Sequence, residues 1–414
     1  MSDRLAPMRL DVIALKVLYV LAAVSVLYRV QHYSVFPFAA EYRLMLYALL
    51  AMLVLGVRRK LVEAPLSFWA LGMIVVWMGV HTYWLSSPGL ALYTTARFSN
   101  VLALAPMAAL LLLGSRQLKV VFHIFLVVFL LAMATLLFQF WGGGLDTLTQ
   151  GYIAIRGDLI RHMTLVGEPN VGGMLASLVF VLSVTLLENR KFALLWGALA
   201  VAFIVFSLSK AAILGAGVGI LASCMVYGSG ERREVLVRVA VAGVLGLALL
   251  YVLGAGDYVR VGIDAVSGAV RGEPSAFEDL KSRQISIDIA AIMGGHFGFP
   301  VWLNYLLGAS FFNVGSAALE LRGHTAGVVL PHNSYLELFL TGGIAMLGLV
   351  LFLMARAGLR LYHARGTEEW PVDRCALICL IMLSAWMLVY PVIYEPVTGC
   401  LFWIIIGYGN RRRA

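Results

Sequence analysis

Charge is scarce in this chain. Only 13% of its 414 residues are Asp, Glu, Lys or Arg, and 61% are hydrophobic, whereas a soluble domain carries about 25% charged residues. That balance excludes an ordinary soluble globule and points to a polytopic membrane protein. Cysteine is also rare. The four thiols, Cys224, Cys375, Cys379 and Cys400, all fall inside apolar runs, so none is placed for a disulfide outside the cytoplasm. Cys375 and Cys379 share a helix face at i, i+4 and read as small packing residues rather than half of a metal site. There is no low-complexity tail, no internal repeat, and no glycine cluster of the nucleotide-loop type. The short alternating segments of a membrane β-barrel are missing too, because the apolar runs are continuous.

What the chain does have is apolar runs of helix-spanning length. Such runs cross a bilayer as helices because a helix satisfies its own backbone hydrogen bonds. Twelve are expected, near 10–28, 42–57, 65–84, 98–114, 120–140, 171–187, 192–208, 211–227, 236–254, 335–356, 372–391 and 394–410. The first lacks a small-residue cleavage site and is read as a span rather than a signal peptide. The expected class is thus an all-α polytopic membrane protein, with nine helices in 1–254, a polar, partly helical loop subdomain at 255–334, and three helices and a basic tail in 335–414.

Lys and Arg set the orientation. Arg4, Arg9, Arg58, Arg59, Lys60, Arg116, Lys119, Arg190, Lys191, Arg232, Arg233, Arg356, Arg360, Arg365, Arg374 and Arg411–Arg413 fall on alternate loops, which marks that face and both termini as cytoplasmic. The net charge of +9 follows from this bias and calls for no nucleic acid. The loops near 29–41, 85–97, 141–170, 208–210, 255–334 and 392–393 are then expected on the outer face.

Outward cations work against that bias and need a reason. They are Arg156, Arg161, Lys210, Arg260, Arg271, Lys281, Arg283 and Arg322. Arginine forks match phosphate oxygens, which suits a lipid phosphate or diphosphate. Snorkelling to headgroups is the alternative for any one of them. Arg161 precedes Gly167-Glu168-Pro169-Asn170, a turn that opens the sixth span with its N-terminus outward, where anions are favoured. Lys210 follows Ser207-Leu208-Ser209 at a turn with almost no loop, where a lysine is costly without a partner. Ser275 to Gly294 reads as an amphipathic helix capped by Ser275 and Glu278, which would lie along the membrane and project Arg283 toward the bilayer edge or into a cleft. His332, in Pro331-His332-Asn333-Ser334-Tyr335, opens the tenth span. It reads either as a cap or as a general base.

These residues together resemble the O-antigen ligase/polymerase superfamily, bacterial enzymes acting on undecaprenyl-diphosphate-linked glycans. Arg161 and Gly172, Arg283 and Gly294, and His332 and Gly343 are each separated by ten residues, which is similar to the loop signatures of the polymerases. Ser209-Lys210 stands where the family often has Ser-Arg. The resemblance covers most of the chain and implies an inner-membrane glycosyltransferase whose site faces the periplasm. His332 and Arg283 would be catalytic; Arg161, Lys210, Arg322 and Arg156 would bind the diphosphate or substrate. The donor would be the lipid-linked glycan. The acceptor would be the next lipid-linked repeat unit for a polymerase, or lipid A–core for a ligase. Membrane lipids would surround the chain, and a chain-length regulator is a further candidate partner. No cofactor or metal is expected; Asp257, Asp264, Glu278, Asp279 and Asp288 are the carboxylates that could hold one. A lipid-linked oligosaccharide transporter is the remaining alternative, although polar residues here gather at the outer surface rather than at the bilayer midplane.

Overall fold

A computed structural model gives the structure of the protein. It describes scattered positions in 66–77, then 114–142, most of 154–271, 293–294, 300–308, and nearly all of 333–410. The described chain is mostly helical: α1 (Ser115–Phe140), a hairpin of β1 (Ala154–Arg156) and β2 (Leu159–Arg161), α2 (Pro169–Leu186), α3 (Arg190–Ser207), α4 (Lys210–Val226), α5 (Ser229–Val252), α6 (Gly256–Val270), α7 (Val301–Leu307), α8 (Ser334–His363), α9 (Trp370–Trp386), a 3-10 turn (Val392–Tyr394) and α10 (Pro396–Asn410). Five of these helices, α1, α2, α3, α5 and α8, are long and apolar enough to cross a membrane. α1 to α5 and α8 to α10 occupy the ranges expected for the fifth to twelfth spans. The expected spans at 10–28, 42–57 and 98–114 lie outside the described residues, as does nearly all of 65–84.

The links between consecutive helices force alternation. Leu187–Asn189 joins α2 to α3, Leu208-Ser209 joins α3 to α4, and Tyr227-Gly228 joins α4 to α5. Links this short leave the next helix no option but to run back beside the last. Asn189 begins α3 by accepting the amides of Lys191 and Phe192 on its side-chain oxygen, a standard N-cap. The bundle therefore has two ends. One carries Glu188, Arg190, Glu231, Arg365 and Arg374; the other carries the hairpin, Lys210 and Asn333.

α2 is the hub. It is apolar all round, and 89% of its span is buried against its neighbours, as expected of a helix without a polar stripe. α3 and α5 close on each other through small residues. A Cβ on Gly197 would stand 2.8 Å from the Ala242 methyl, and one on Gly246 2.7 Å from the Ala198 carbonyl. Such contacts let apolar helices gain dispersion where no water is excluded.

Two features depart from plain helices. The hairpin pairs Ala154 with Arg161, Ile155 with Ile160 and Arg156 with Leu159; its sequence signal is Gly157-Asp158 between two short apolar stretches. α8 breaks at Gly343, whose φ of 68° and ψ of −170° belong to a region open essentially to glycine alone. The short helix α7 docks at that break. Side chains at Gly308 or Gly343 would overlap the Thr341 and Leu306 carbonyls respectively, so the two backbones meet directly. Part of the expected 255–334 loop thus folds back onto α8. Of the amphipathic helix expected at 275–294, only Met293 and Gly294 are described.

Candidate active site

The α3–α4 turn is a dense knot of hydrogen bonds. Leu208 takes a left-handed conformation (φ 48°) as the C-cap of α3, the one described non-glycine residue with positive φ. That conformation costs about 1–2 kcal/mol and is offset by near-complete burial of the leucine, 4% exposed. The Ser207 hydroxyl donates to the Ile204 carbonyl and accepts the Ser209 amide. The Ser209 side chain caps α4 by accepting the Ala212 amide at 3.3 Å. Lys210 is therefore the first residue of α4, half-buried at a helix N-terminus, where the backbone dipole already favours anions. α2 presses on the same turn. A Cβ on Gly173 would meet the Ser207 hydroxyl at 2.6 Å, and Ser177 donates to the Ala212 carbonyl at 2.7 Å.

Arg161 joins three elements at this corner. Its Nε donates to the Ser207 carbonyl and its Nη2 to the Asn170 Oδ1, both at 2.8 Å. The hairpin is thereby tied to the C-terminus of α3, where a cation meets the negative end of the helix dipole, and to the first turn of α2. The Tyr258 hydroxyl on α6 donates to the Ile160 carbonyl at 2.6 Å, which fixes β2 from its other side. Below lies an aromatic box. Phe206 packs 5.0 Å from both Phe140 and Tyr258. His162 stands edge-on to Phe140, and burial holds its imidazole below the ordinary histidine range. The Tyr258 phenol is raised above its usual value by the same cause.

The start of α8 belongs to the same end of the bundle. The Asn333 Oδ1 accepts the amides of Tyr335 and Leu336 at 3.0 Å each. The Ser334 amide donates to the Met387 carbonyl at 2.7 Å, its hydroxyl to the Tyr390 carbonyl, and the Tyr335 hydroxyl to the Ser384 carbonyl. One residue before Met387, the indole of Trp386 donates to the Ala211 carbonyl at 2.6 Å and fills the space left by Gly215. An unbroken path therefore runs from Lys210 through Ala211, Trp386 and Met387 to Ser334, two residues after His332.

Arg161 and Lys210 are thus brought together. Arg156 ends β1, and its side chain lies outside the described residues; so do His332, Arg283 and Arg322 in full. Two residues of this end went unmarked in the sequence. Trp386 looks like one more apolar residue of a span, and its coupling role depends on Gly215 of a distant helix. Glu337 is fully buried one turn into α8, with its carbonyl accepting the Thr341 hydroxyl at 2.6 Å. An acidic residue inside an apolar run is itself a signal of function. No family model matches the chain, and no curated protein matches it.

Proposed function

We propose that the protein is an inner-membrane glycosyltransferase of the O-antigen ligase/polymerase kind, with twelve spans, cytoplasmic termini and a periplasmic site. It moves a glycan from an undecaprenyl-diphosphate donor to an acceptor hydroxyl, with polymerisation of lipid-linked repeat units as the reaction. The observation that carries this reading is the corner itself. Arg161 is hydrogen-bonded to the turn that opens the helix starting at Lys210, and Trp386 keys that turn to the segment bonded by Ser334, two residues after His332 in the sequence.

In this reading His332 takes the proton of the acceptor hydroxyl. The freed oxygen attacks the anomeric carbon from the face opposite the diphosphate, and the carbon–oxygen bond to the diphosphate breaks. The electron pair leaves with the diphosphate, and one displacement inverts the anomeric configuration. Arg283, Lys210 and Arg161 stabilise the charge that builds on the leaving group, a preorganised electrostatic role. Arg322 and Arg156 add to substrate binding. The lipid-linked donor already carries its leaving group, so the mechanism uses no nucleotide sugar and no metal.

The test is the surface glycan ladder of the native host lacking this chain, beside strains restored with wild type or His332→Ala. Cores capped with one repeat unit in the deletion strain support polymerase. Bare cores with long glycan stranded on the carrier lipid identify a ligase that transfers to lipid A–core. Full rescue by His332→Ala removes the general base from the mechanism and favours a transporter of the same lipid.

A further inference from the structure

A second feature lies across α6 from the hairpin. α5 ends in a paired motif in which the Ala255 amide donates to the Leu250 carbonyl at 2.8 Å and the Gly254 amide to the Tyr251 carbonyl at 3.1 Å, with Gly254 in the left-handed region (φ 77°). Glycine is what such a C-terminal motif demands. The reversal sets α6 against the end of α5 and opens a cleft of about 540 Å³ between them. Tyr251 and Ile263 form its apolar walls, and Asp257, Arg260 and Asp264 its polar ones. The ring of Tyr251 lies over Gly256, where a Cβ would stand 3.2 Å from Cε1. It remains 64% exposed, so a flat aromatic surface is held in place with room above it.

The spacing on α6 is what places these groups together. Asp257, Arg260 and Asp264 follow at i, i+3 and i+7 and share one helix face, while Tyr258 and Val259 turn the other way and are buried. The chemistry of the face selects its ligand. Two carboxylates and one guanidinium leave it net negative, which repels a phosphate group. Arg260 sits between the two aspartates and competes with a divalent cation, which needs six or more oxygens in any case. A polyol fits all of it. Carboxylates accept from hydroxyls, the guanidinium donates to hydroxyl and ring oxygens, and an exposed aromatic ring covers an apolar C–H face.

We infer that this cleft is a glycan-holding subsite that grips the sugar chain beside the diphosphate corner. The inference rests on the glycosyltransferase reading and deepens it. α6 connects the two places physically: one face carries the cleft, and the other holds the Arg161 hairpin through Tyr258. A chain gripped here is retained between successive transfers, so the subsite governs how long the product grows rather than whether a bond is made.

The experiment complements the deletion host with wild type, Tyr251→Ala, Tyr251→Trp, Asp264→Asn and an Asp257→Asn/Asp264→Asn pair, with the membrane level of each measured by immunoblot. Tyr251→Ala and the double variant should cut long-chain product about three- to tenfold, the loss of one stacking or hydrogen-bonded contact, while single-unit transfer persists. Tyr251→Trp should keep the wild-type ladder. If Tyr251→Ala fails to accumulate in the membrane, Asp264→Asn decides, since that side chain is exposed and the change is isosteric. A wild-type ladder from variants present at wild-type level overturns the subsite alone. A normal ladder in the deletion host itself overturns the glycosyltransferase reading, and the subsite falls with it.

Discussion

The two ends of the bundle set arginine among different elements. At the Glu231 end, Arg374 bonds both carboxylate oxygens of Glu231 at 3.0 Å and lies 3.7 Å over the Tyr227 ring. Arg238 pairs with Glu234 at 2.6 Å and caps the end of α2 through the Leu187 carbonyl. Arg365 stacks on Tyr362 and bonds the Val226 carbonyl. At the Lys210 end, Arg161 grips a carbonyl and an amide oxygen. The arginines of the Glu231 end join helices that lie side by side, whereas Arg161 joins a hairpin to the end of one helix and the start of another.

The contrast can be broken most sharply with one arginine from each end. Arg161→Ala should lower glycan transfer about 100-fold or more, the usual consequence of losing one preorganised charge-stabilising group. Arg161→Lys should not restore it, because an ammonium cannot span Ser207 and Asn170 as the fork does. Arg374→Ala should leave the rate per folded molecule near wild type while lowering stability by about 2 kcal/mol, the loss of charge-assisted hydrogen bonds and a ring contact. Thermal unfolding in nanodiscs with parallel transfer assays separates the two. Equal effects on both readouts would erase the distinction between the ends.

Smaller changes sharpen it. Ser209→Ala removes the cap of α4 and should cost about 1 kcal/mol, with transfer falling as well because Lys210 is the next residue. Acidification tests the aromatic box. Burial holds the His162 imidazole below its ordinary value, so the folded chain binds fewer protons than the unfolded one. Stability is then full above about pH 6.5 and declines as the pH falls toward the folded value. His162→Gln should flatten that decline in unfolding curves taken between about pH 7.5 and 5. The least effect is expected from Lys119→Met. Its pair with Glu188, at 3.5 Å, is exposed on both sides, and such pairs contribute about 0–1 kcal/mol.

The helical part of this architecture was legible in the sequence because a helix in an apolar medium leaves a long, local trace. The runs from 120 to 254 and from 335 to 410 coincide with helices whose ends are marked by Asn189, Ser209 and Asn333, residues that cap by chemistry of their own. Half of the candidate corner was legible too, since Arg161 and Lys210 are cations where positive charge is unexpected. What escaped depends on partners far along the chain. The hairpin is only three residues deep on each side, too short for alternation to show. The Trp386 bridge spans 175 positions. The docking of α7 requires two glycines, Gly308 and Gly343, that meet only in three dimensions.

That meeting of glycines divides α8 into two rods that keep independent rotational phase. A continuous helix turns by about 100° for each residue added or removed, so a length change anywhere would swing everything beyond it. Here the upper rod, Ser334 to Gly342, takes its phase from α9 through Tyr335 and from the segment just after α9 through Ser334, and the lower rod takes its own from α10 through Asn410 and Leu353. Insertions or deletions below Gly343 can therefore be absorbed without disturbing the Ser334 and Tyr335 bonds, while a single residue gained between Tyr335 and Gly342 would rotate the stretch that Gly308 docks against relative to those bonds.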